Sequence, residues 1–324
     1  MAKLIDLVVD NIDDICQYLI DKDKISFLSI NRSLHLVKKF VYYYDNINIT
    51  KIQNLWYLDQ FINIDIDDYI SSKDGNIKLN QNNEYIIESC IKIPLNIKYL
   101  TFTYYFNKDI KQCIPASVTH LTFGYKFNKN IKDCIPQSVT HLTFGEYFNQ
   151  NIHDSIPESV THLTFGYQFN QDIKDCIPGN VSHLTFGYKF NQDIKDSLPG
   201  SVTHLFLSNN NNQYIPKNIT HLTFNNDYCG NIVSIISANL THLTFGYWFN
   251  GDIKDIIPES VTHLTFGMCF RKLLQNIPAS VTNLTLEYLD QQMADSIPHS
   301  VTDIYLPKFI KSFTFAHECL VHRY

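Results

Sequence analysis

A period of 21 residues runs through most of this 324-residue chain, and it limits what the chain can fold into. The segments Ile114–Cys134, Ile135–Ser155 and Ile156–Cys176 are near copies, IPASVTHLTFGYKFNKNIKDC being the first. The leucine of each copy falls at Leu100, Leu121, Leu142, Leu163, Leu184, Leu205, Leu222, Leu243, Leu264 and Leu284, and Ile304 closes the series. The spacing is 21 residues for most steps, 17 from Leu205 to Leu222, and 20 for the last two. That makes eleven copies over residues 93–306. A fixed period of this length is the signature of a solenoid, in which each unit buries its apolar face only against its neighbours.

Within a copy, Val118, Leu121 and Phe123 alternate with polar residues around Thr122, which predicts a half-buried strand. Phe127, Ile131 and Ile135 follow without alternation and are expected to carry the chain back behind it. Pro115 forces Ile114 into extended geometry and has no N–H for a ladder, so it belongs outside the strand. Gly124, just past the strand, suggests a turn or a positive φ. Equivalent strands would pair in parallel at about 4.8 Å and build a curved or twisted rod.

The spacing Val118-x-x-Leu121-x-Phe123 resembles the opening of a leucine-rich repeat, but Phe127-Asn128 falls one residue late for that family. With its Phe-Asn, Ile and Ile-Pro signatures, the unit more closely resembles the FNIP repeat, a family typical of amoebae and of the giant viruses that infect them. The resemblance covers about two thirds of the chain. Copies seven and eight depart from it, at Ser208–Tyr214 and at Ile236-Ser237, as do the last two.

A strict repeat stacks like on like. Asn107, Asn128, Asn149, Asn170, Asn191 and Asn250 are expected to form a buried amide ladder that satisfies turn backbone. The positions flanking the strand leucine give a histidine column, His120, His141, His162, His183, His204, His221, His242 and His263. Beside it runs a threonine column, Thr122, Thr143, Thr164, Thr185, Thr223, Thr244 and Thr265. Three readings stand for these columns. They are a structural ladder on an open sheet face, a partner-binding surface, or a metal array, and the last lacks carboxylate or thiolate support. Neighbouring imidazolium ions would repel, so most of these histidines should stay neutral near pH 7 and acid should destabilise the fold. Cys113, Cys134, Ser155, Cys176 and Ser197 share one repeat position, which reads as a small buried site.

Residues 1–44 follow a different pattern. Ile12, Ile15, Cys16 and Leu19 lie on one face of a helix that Asp10 can cap. Two further short helices are expected, one with Ile25, Phe27, Leu28 and Ile30 and one through Leu34, Val37 and Val41. The segment Leu7–Leu36 resembles an F-box in Leu7, in the Ile12/Ile15/Leu19 helix, in the Asp21–Lys24 hinge and in FLSINRSL at Phe27–Leu34. It departs at Val8, where the family has proline. The resemblance implies docking onto a Skp-type adaptor of a cullin ubiquitin ligase through Leu7, Ile12, Ile15, Leu19, Phe27 and Leu28. The alternative is a plain helical cap for the first repeat.

The expected fold is therefore α+β. A helical F-box-like module (1–44) leads through a linker and N-terminal cap (45–92) to an LRR-like solenoid of about eleven FNIP repeats with a parallel β-sheet (93–306). A C-terminal cap (307–324) follows, with Phe309, Phe313, Phe315 and Leu320 covering the last strand. In the linker, Leu55 to Ile62 suggest a short helix and Ser71–Asn83 a loop.

Composition narrows the function. Net charge is −6 and charged residues make up 18%, with no clustered basic run, which argues against nucleic acid. The acidic N-terminus lacks a signal-peptide core and no apolar stretch is long enough to span a membrane, so an intracellular, cytoplasmic protein is expected. The eight cysteines are scattered, and reduced thiols are expected. The Asn-x-Thr triplets at Asn218, Asn239 and Asn283 recur at one point of the repeat and read as a packing accident. No P-loop, GxGxxG, HExxH or GxSxG motif is present, and the repeating acids Asp133, Asp154, Asp175 and Asp196 read as a solvated face. The expectation is a non-enzymatic binding protein without cofactor or metal. It would recruit substrates to a Skp-cullin-F-box ligase or act as a stand-alone scaffold or decoy. The His/Thr face, or the loops around Tyr125, Tyr167, Tyr188 and Tyr247, would meet the target.

Overall fold

The strand signature of each copy is realised as a very short strand of three or four residues. Such strands are stable only because the same hydrogen-bonding pattern is repeated on both sides. The computed structural model describes residues 24–25, 47–48, 63–66, 77–79, 85–87, 97–208, 215–225 and 239–324. The chain divides into two units, Met1–Gly145 and Glu146–Tyr324.

In the first unit β1 (Ile47–Asn48) pairs with β2 (Asn63–Ile66). A hairpin of β3 (Ile77–Leu79) and β4 (Tyr85–Ile87) follows. Then β2 pairs with β5 (Tyr99–Phe102), β5 with β6 (His120–Thr122) and β6 with β7 (His141–Thr143), all in parallel. The second unit repeats the pattern through β8 (His162–Thr164), β9 (His183–Thr185), β10 (His204–Leu207), β11 (His221–Phe224), β12 (His242–Thr244), β13 (His263–Phe266) and β14 (Asn283–Leu286). A five-residue helix α1 (Gln291–Asp295), capped by Asp290, comes next. β15 (Asp303–Leu306) and β16 (Leu320–Arg323) end it. Each unit is thus a parallel-strand β-solenoid, and the inward strand positions pair like with like, Leu100 with Leu121 and Leu121 with Leu142, for example.

Alternation sets the core. Leu121 and Phe123 point inward at 1% and 2% exposure, and Phe127 and Ile131 return the chain behind them at 0%. The phenylalanines form two ladders that meet face to face. In the first unit Phe123 stacks on Phe102 at 5.3 Å and on Phe144 at 5.4 Å, with Phe127 at 4.1 Å. In the second, Phe165 stacks on Phe186 and each meets its own turn phenylalanine, Phe169 or Phe190, at 3.8 Å. The proline sits in a turn outside the ladder, where the carbonyl of Pro115 accepts the N–H of Val118.

Several expectations change. Gly124 does not have a positive φ; its constraint is space. A Cβ there would lie 1.9 Å from the Thr103 carbonyl oxygen, and one at Gly187 would lie 2.0 Å from that of Gly166. The left-handed residues are instead Gln112, Asp133, Asp154, Asp175, Asp196 and Asp255, with φ between 52° and 59°. The acids read as a solvated face therefore also close a turn, because Asp tolerates this conformation better than most residues. The same turn is fixed by Asp or Asn three residues earlier, as where Asp172 accepts the N–H of Lys174 and Asn130 that of Lys132.

The Ser71–Asn83 loop contains strand β3, and parallel strands lie on both sides of residues 93–306. The C-terminal segment adds β16 to the sheet beside β15; Phe313 and Phe315 are half-buried, whereas Phe309 is 70% and Leu320 65% exposed. Of residues 1–44 only Lys24 and Ile25 are described, as helix. The proposed helices around them, and the helix at Leu55–Ile62, lie outside the described residues.

Two substitutions test this account. Gly124→Ala should lower stability to urea by about 3 kcal/mol, the upper end for overpacking against backbone. Gly200→Ala, with nothing within 4 Å of the added carbon, should be near neutral. At Asp175, valine should cost about 1–2 kcal/mol, whereas glycine should stay within about 1 kcal/mol of the parent.

Candidate functional site

The two outward positions of each strand place the histidine and threonine columns side by side on the open face of the sheet. Because the strands pair in strict register, the imidazoles stack ring over ring. His120 lies 4.1 Å from His141 in the first unit. In the second, His162, His183, His204, His221, His242 and His263 follow one another at 4.0–4.2 Å, tilted by only 13–18°. Mutual stacking leaves most of them half-buried; His263 is exposed. The threonines Thr122, Thr143, Thr164 and Thr185 are half-buried beside them. Phe206 replaces threonine in β10, and Tyr99 stacks on His120 at 4.4 Å.

A hydroxyl on the residue before each histidine fixes its ring. The Nδ1 atoms of His120, His141, His162, His183, His204, His221, His242 and His263 lie 2.9–3.0 Å from the Oγ of Thr119, Thr140, Thr161, Ser182, Thr203, Thr220, Thr241 and Thr262. Six of these hydroxyls also reach a carbonyl of the preceding coil at 3.1–3.4 Å. One hydroxyl carries one proton, so both contacts are satisfied when Nδ1–H donates to Oγ and Oγ–H donates to the carbonyl. That tautomer turns the Nε2 lone pairs outward as a row of hydrogen-bond acceptors.

Burial, and after it the neighbouring imidazoles, lowers the pKa of His120, His204, His221 and His242 from the ordinary histidine value. The stacked rings run side by side and do not converge on a point. Among the described residues no group of three or more His, Cys, Asp or Glu is placed to hold a metal ion. Past β13 the column changes character. Asn283 and Asp303 take the histidine position, and the Asp303 carboxylate accepts from His322 and Thr302, which holds its pKa below the usual carboxylate range.

The other columns serve the coils. The Asn side chains accept the backbone N–H of the residue one coil on, Asn107 from Asn128 and Asn149 from Asn170. This is the turn satisfaction expected, but the amides are half-buried or exposed and not buried. The Asn-x-Thr residues Asn218 and Asn239 donate to carbonyls of the preceding coil, the role Ser138 and Ser201 fill elsewhere. Cys134 and Ser155 are buried, while Cys113, Cys176 and Ser197 are half-buried; the Cys134, Cys176, Ser155 and Ser197 side chains reach a carbonyl two residues back. Cys113 departs from the expected reduced state and is disulfide-bonded, whereas Cys134, Cys176, Cys269 and Cys319 are free. Sequence scatter carries no information on which sulfurs meet in space.

A second candidate surface lies on the turns after the strands. Tyr104 stacks on Tyr125 at 4.5 Å in the first unit, and Tyr167 on Tyr188 at 5.2 Å in the second. Lys126 lies over Tyr125, and Lys189 over both Tyr167 and Tyr188. The exposed Tyr105, Tyr147 and Trp248 extend this surface, Trp248 being 58% exposed. Sequence reasoning picked out only the first residue of each turn. The signal it missed is the second one, aromatic in several copies. The residues expected to meet an adaptor, Leu7, Ile12, Ile15, Leu19, Phe27 and Leu28, lie outside the described residues.

This architecture is that of a parallel β-solenoid repeat protein. The FNIP Repeat family model matches residues 83–126, 127–168, 148–174, 169–210 and 232–269, about half the chain. The chain belongs to the FNIP repeat family. A solved structure described as "The crystal structure of CroV588 a novel circular LRR protein structure" is similar, with a TM-score of 0.56 and 32% sequence identity over 76% of this chain. The match spans 40% of that protein's length. No curated protein matches. No helix among the described residues is long and apolar enough to cross a membrane.

The histidine column makes stability depend on pH. A base whose pKa is lowered in the fold is favoured there in its neutral form, so its contribution is complete above the unfolded value near 6.5. It is lost as pH falls from there through the lowered folded values. Thermal unfolding should show Tm falling between pH 7 and 5, and replacing His204, His221 and His242 together by glutamine should flatten that fall. A Tm unchanged across this range would rule out the titration.

Proposed function

We propose that this protein is a non-enzymatic protein–protein interaction scaffold that recruits substrates to a Skp-cullin-F-box type ubiquitin ligase. The observation that carries the scaffold reading is the regular outer surface of each unit, with half-exposed polar columns and exposed aromatic turns. Interfaces favour Tyr, Trp and Arg, which give large contact area at low entropic cost. A family built of FNIP repeats, and a structural neighbour described as an LRR protein, fit this use. The ligase step rests on the F-box resemblance of Leu7–Leu36. In this scheme Leu7, Ile12, Ile15, Leu19, Phe27 and Leu28 meet the adaptor and the solenoid holds the target. The setting the resemblance implies is an amoebal or giant-virus protein acting in the cytoplasm of the host cell.

Val8 favours a second reading, because it stands where the F-box family has proline. In that reading the helices only cap the solenoid and the protein acts as a scaffold or decoy. A pull-down with purified Skp-type adaptor separates the two. Recruitment requires that the full chain binds and that the double mutant Ile15→Asp, Leu19→Asp loses binding. A folded full chain that does not bind leaves the scaffold without a ligase.

A further inference from the structure

We propose, on the scaffold reading above, that the turns around Tyr104, Tyr105, Tyr125, Lys126 and Lys129 in the first unit form a docking surface for an acidic polypeptide segment, one rich in Asp and Glu side chains.

Repetition alone would give every turn the same charge, and the first unit departs from that. Residues 104–112 and 125–133 hold five lysines, Lys108, Lys111, Lys126, Lys129 and Lys132, against Asp109 and Asp133, a net charge of +3. The equivalent residues 167–175 and 188–196 of the second unit hold three lysines against Asp172, Asp175, Asp193 and Asp196, a net charge of −1. Residues 146–154 and 247–255 are negative as well. Residues 268–276 bring Arg271 and Lys272, but Arg271 donates back to the carbonyls of Met268 and Phe270. The whole chain carries −6, so the positive turns of the first unit run against its overall charge.

Substitutions within the repeat produce the difference. Asn130 accepts the N–H of Lys132 with an uncharged amide, where Asp172 and Asp193 accept those of Lys174 and Lys195 with a carboxylate. Gln112 takes the left-handed position, φ 59°, that Asp133, Asp154, Asp175, Asp196 and Asp255 hold elsewhere. Aspartate suits that conformation better than glutamine. The backbone at Gln112 is therefore strained where a negative charge is missing, and strain of this kind gathers at functional sites. The coils are in register here, since the Asn128 N–H donates to Asn107. Lys129 thus follows Lys108, and Lys132 follows Lys111, one coil on. Like charges in such columns repel, and a carboxylate-bearing partner relieves the repulsion.

The tyrosines favour a polypeptide over a nucleic acid. Tyr104 stacks on Tyr125 at 4.5 Å with 6° between the rings, Tyr105 meets Tyr104 edge-on at 4.7 Å, and Lys126 lies over Tyr125. Bases of a single strand need open ring faces, and here the faces of Tyr104 and Tyr125 are turned to one another. Stacked rings present their edges, and hydroxyl and ammonium donors suit carboxylate acceptors. Tyr104 is 49% and Tyr105 67% exposed, and Lys129 and Lys132 are exposed too.

Titrating the full chain into a fluorescein-labelled peptide of alternating Glu and Asp, about twelve residues long, tests this by anisotropy at low and at physiological salt. Saturable binding that weakens with salt is expected. Lys129→Glu with Lys132→Glu, at two exposed sites, should raise Kd about tenfold or more and leave the circular dichroism unchanged. Lys174→Glu with Lys195→Glu, in the second unit, should change Kd by less than about twofold. Gln112→Asp separates binding from folding, because Tm should hold or rise while Kd rises about threefold. No binding at low salt overturns the proposal, and so does an equal loss from the second-unit pair, which marks general attraction of acid. Tighter binding of an oligothymidylate of the same charge overturns it in favour of nucleic acid. Self-association in sedimentation that Lys129→Glu with Lys132→Glu abolishes overturns it in favour of a second copy. A negative titration beside a positive adaptor pull-down strikes this surface alone.

Discussion

Within each unit the regular coils are covered by near copies of themselves, and the remaining features follow from that constraint. A strand of three residues cannot hold its shape alone. It persists because its N–H and C=O groups pair on both sides and because its Leu and Phe side chains land on Leu and Phe. Covering by a copy means that every residue must tolerate its own likeness about 4.8 Å away. Phenylalanine does so by stacking. Glycine does so by having no Cβ where the next carbonyl passes. Asparagine and serine do so by bonding in the direction of the repeat, one accepting from the coil ahead and the other donating to the coil behind.

That constraint also explains what was legible in the sequence. Identical residues at a fixed spacing must stack, so the register Leu121 to Leu142, the two inward positions and the His and Thr columns could be read directly. The conformation of individual turn residues could not. A repeated Gly124 is compatible with a positive φ or with close approach, and a repeated Asp133 with a solvated face or with a left-handed turn. Periodicity establishes equivalence without saying which. The legibility failed most where repetition stops. Pro307–Tyr324 has no equivalent copy to compare, and its strand β16 could not be read from the repeat. Of the candidate surface, the polar columns were foreseen, while Tyr105 and Trp248 were not, because their position varies from copy to copy.

Stacking like on like is costly for charge. Rows of ammonium or carboxylate groups at this spacing repel, and the outward strand positions are filled by His and Thr instead of Lys or Glu. At His120, His204, His221 and His242 the hydroxyl–carbonyl chain goes with packing that favours the uncharged base, as in the Thr241–His242 pair. Where the column leaves histidine, at Asn283 and Asp303, the carboxylate is met by His322 and Thr302 and not by another carboxylate.

A uniform column has little power to discriminate among partners, because each rung offers the same hydrogen bonds as the next. A partner bound only to such a surface could slide by one rung at no cost. Specific recognition therefore needs residues that break the repeat. Among the described residues the first unit has Tyr99 at the histidine position. The second unit has Phe206 in the threonine column and Ser208 after it, where Ser208 donates to the Phe186 carbonyl; the Tyr247–Trp248 pair; and Arg271, whose guanidinium lies 3.2 Å from the Tyr288 ring. The regular coils of that unit supply a rigid lattice, and its irregular ones supply the landmarks that would fix a partner's register upon it.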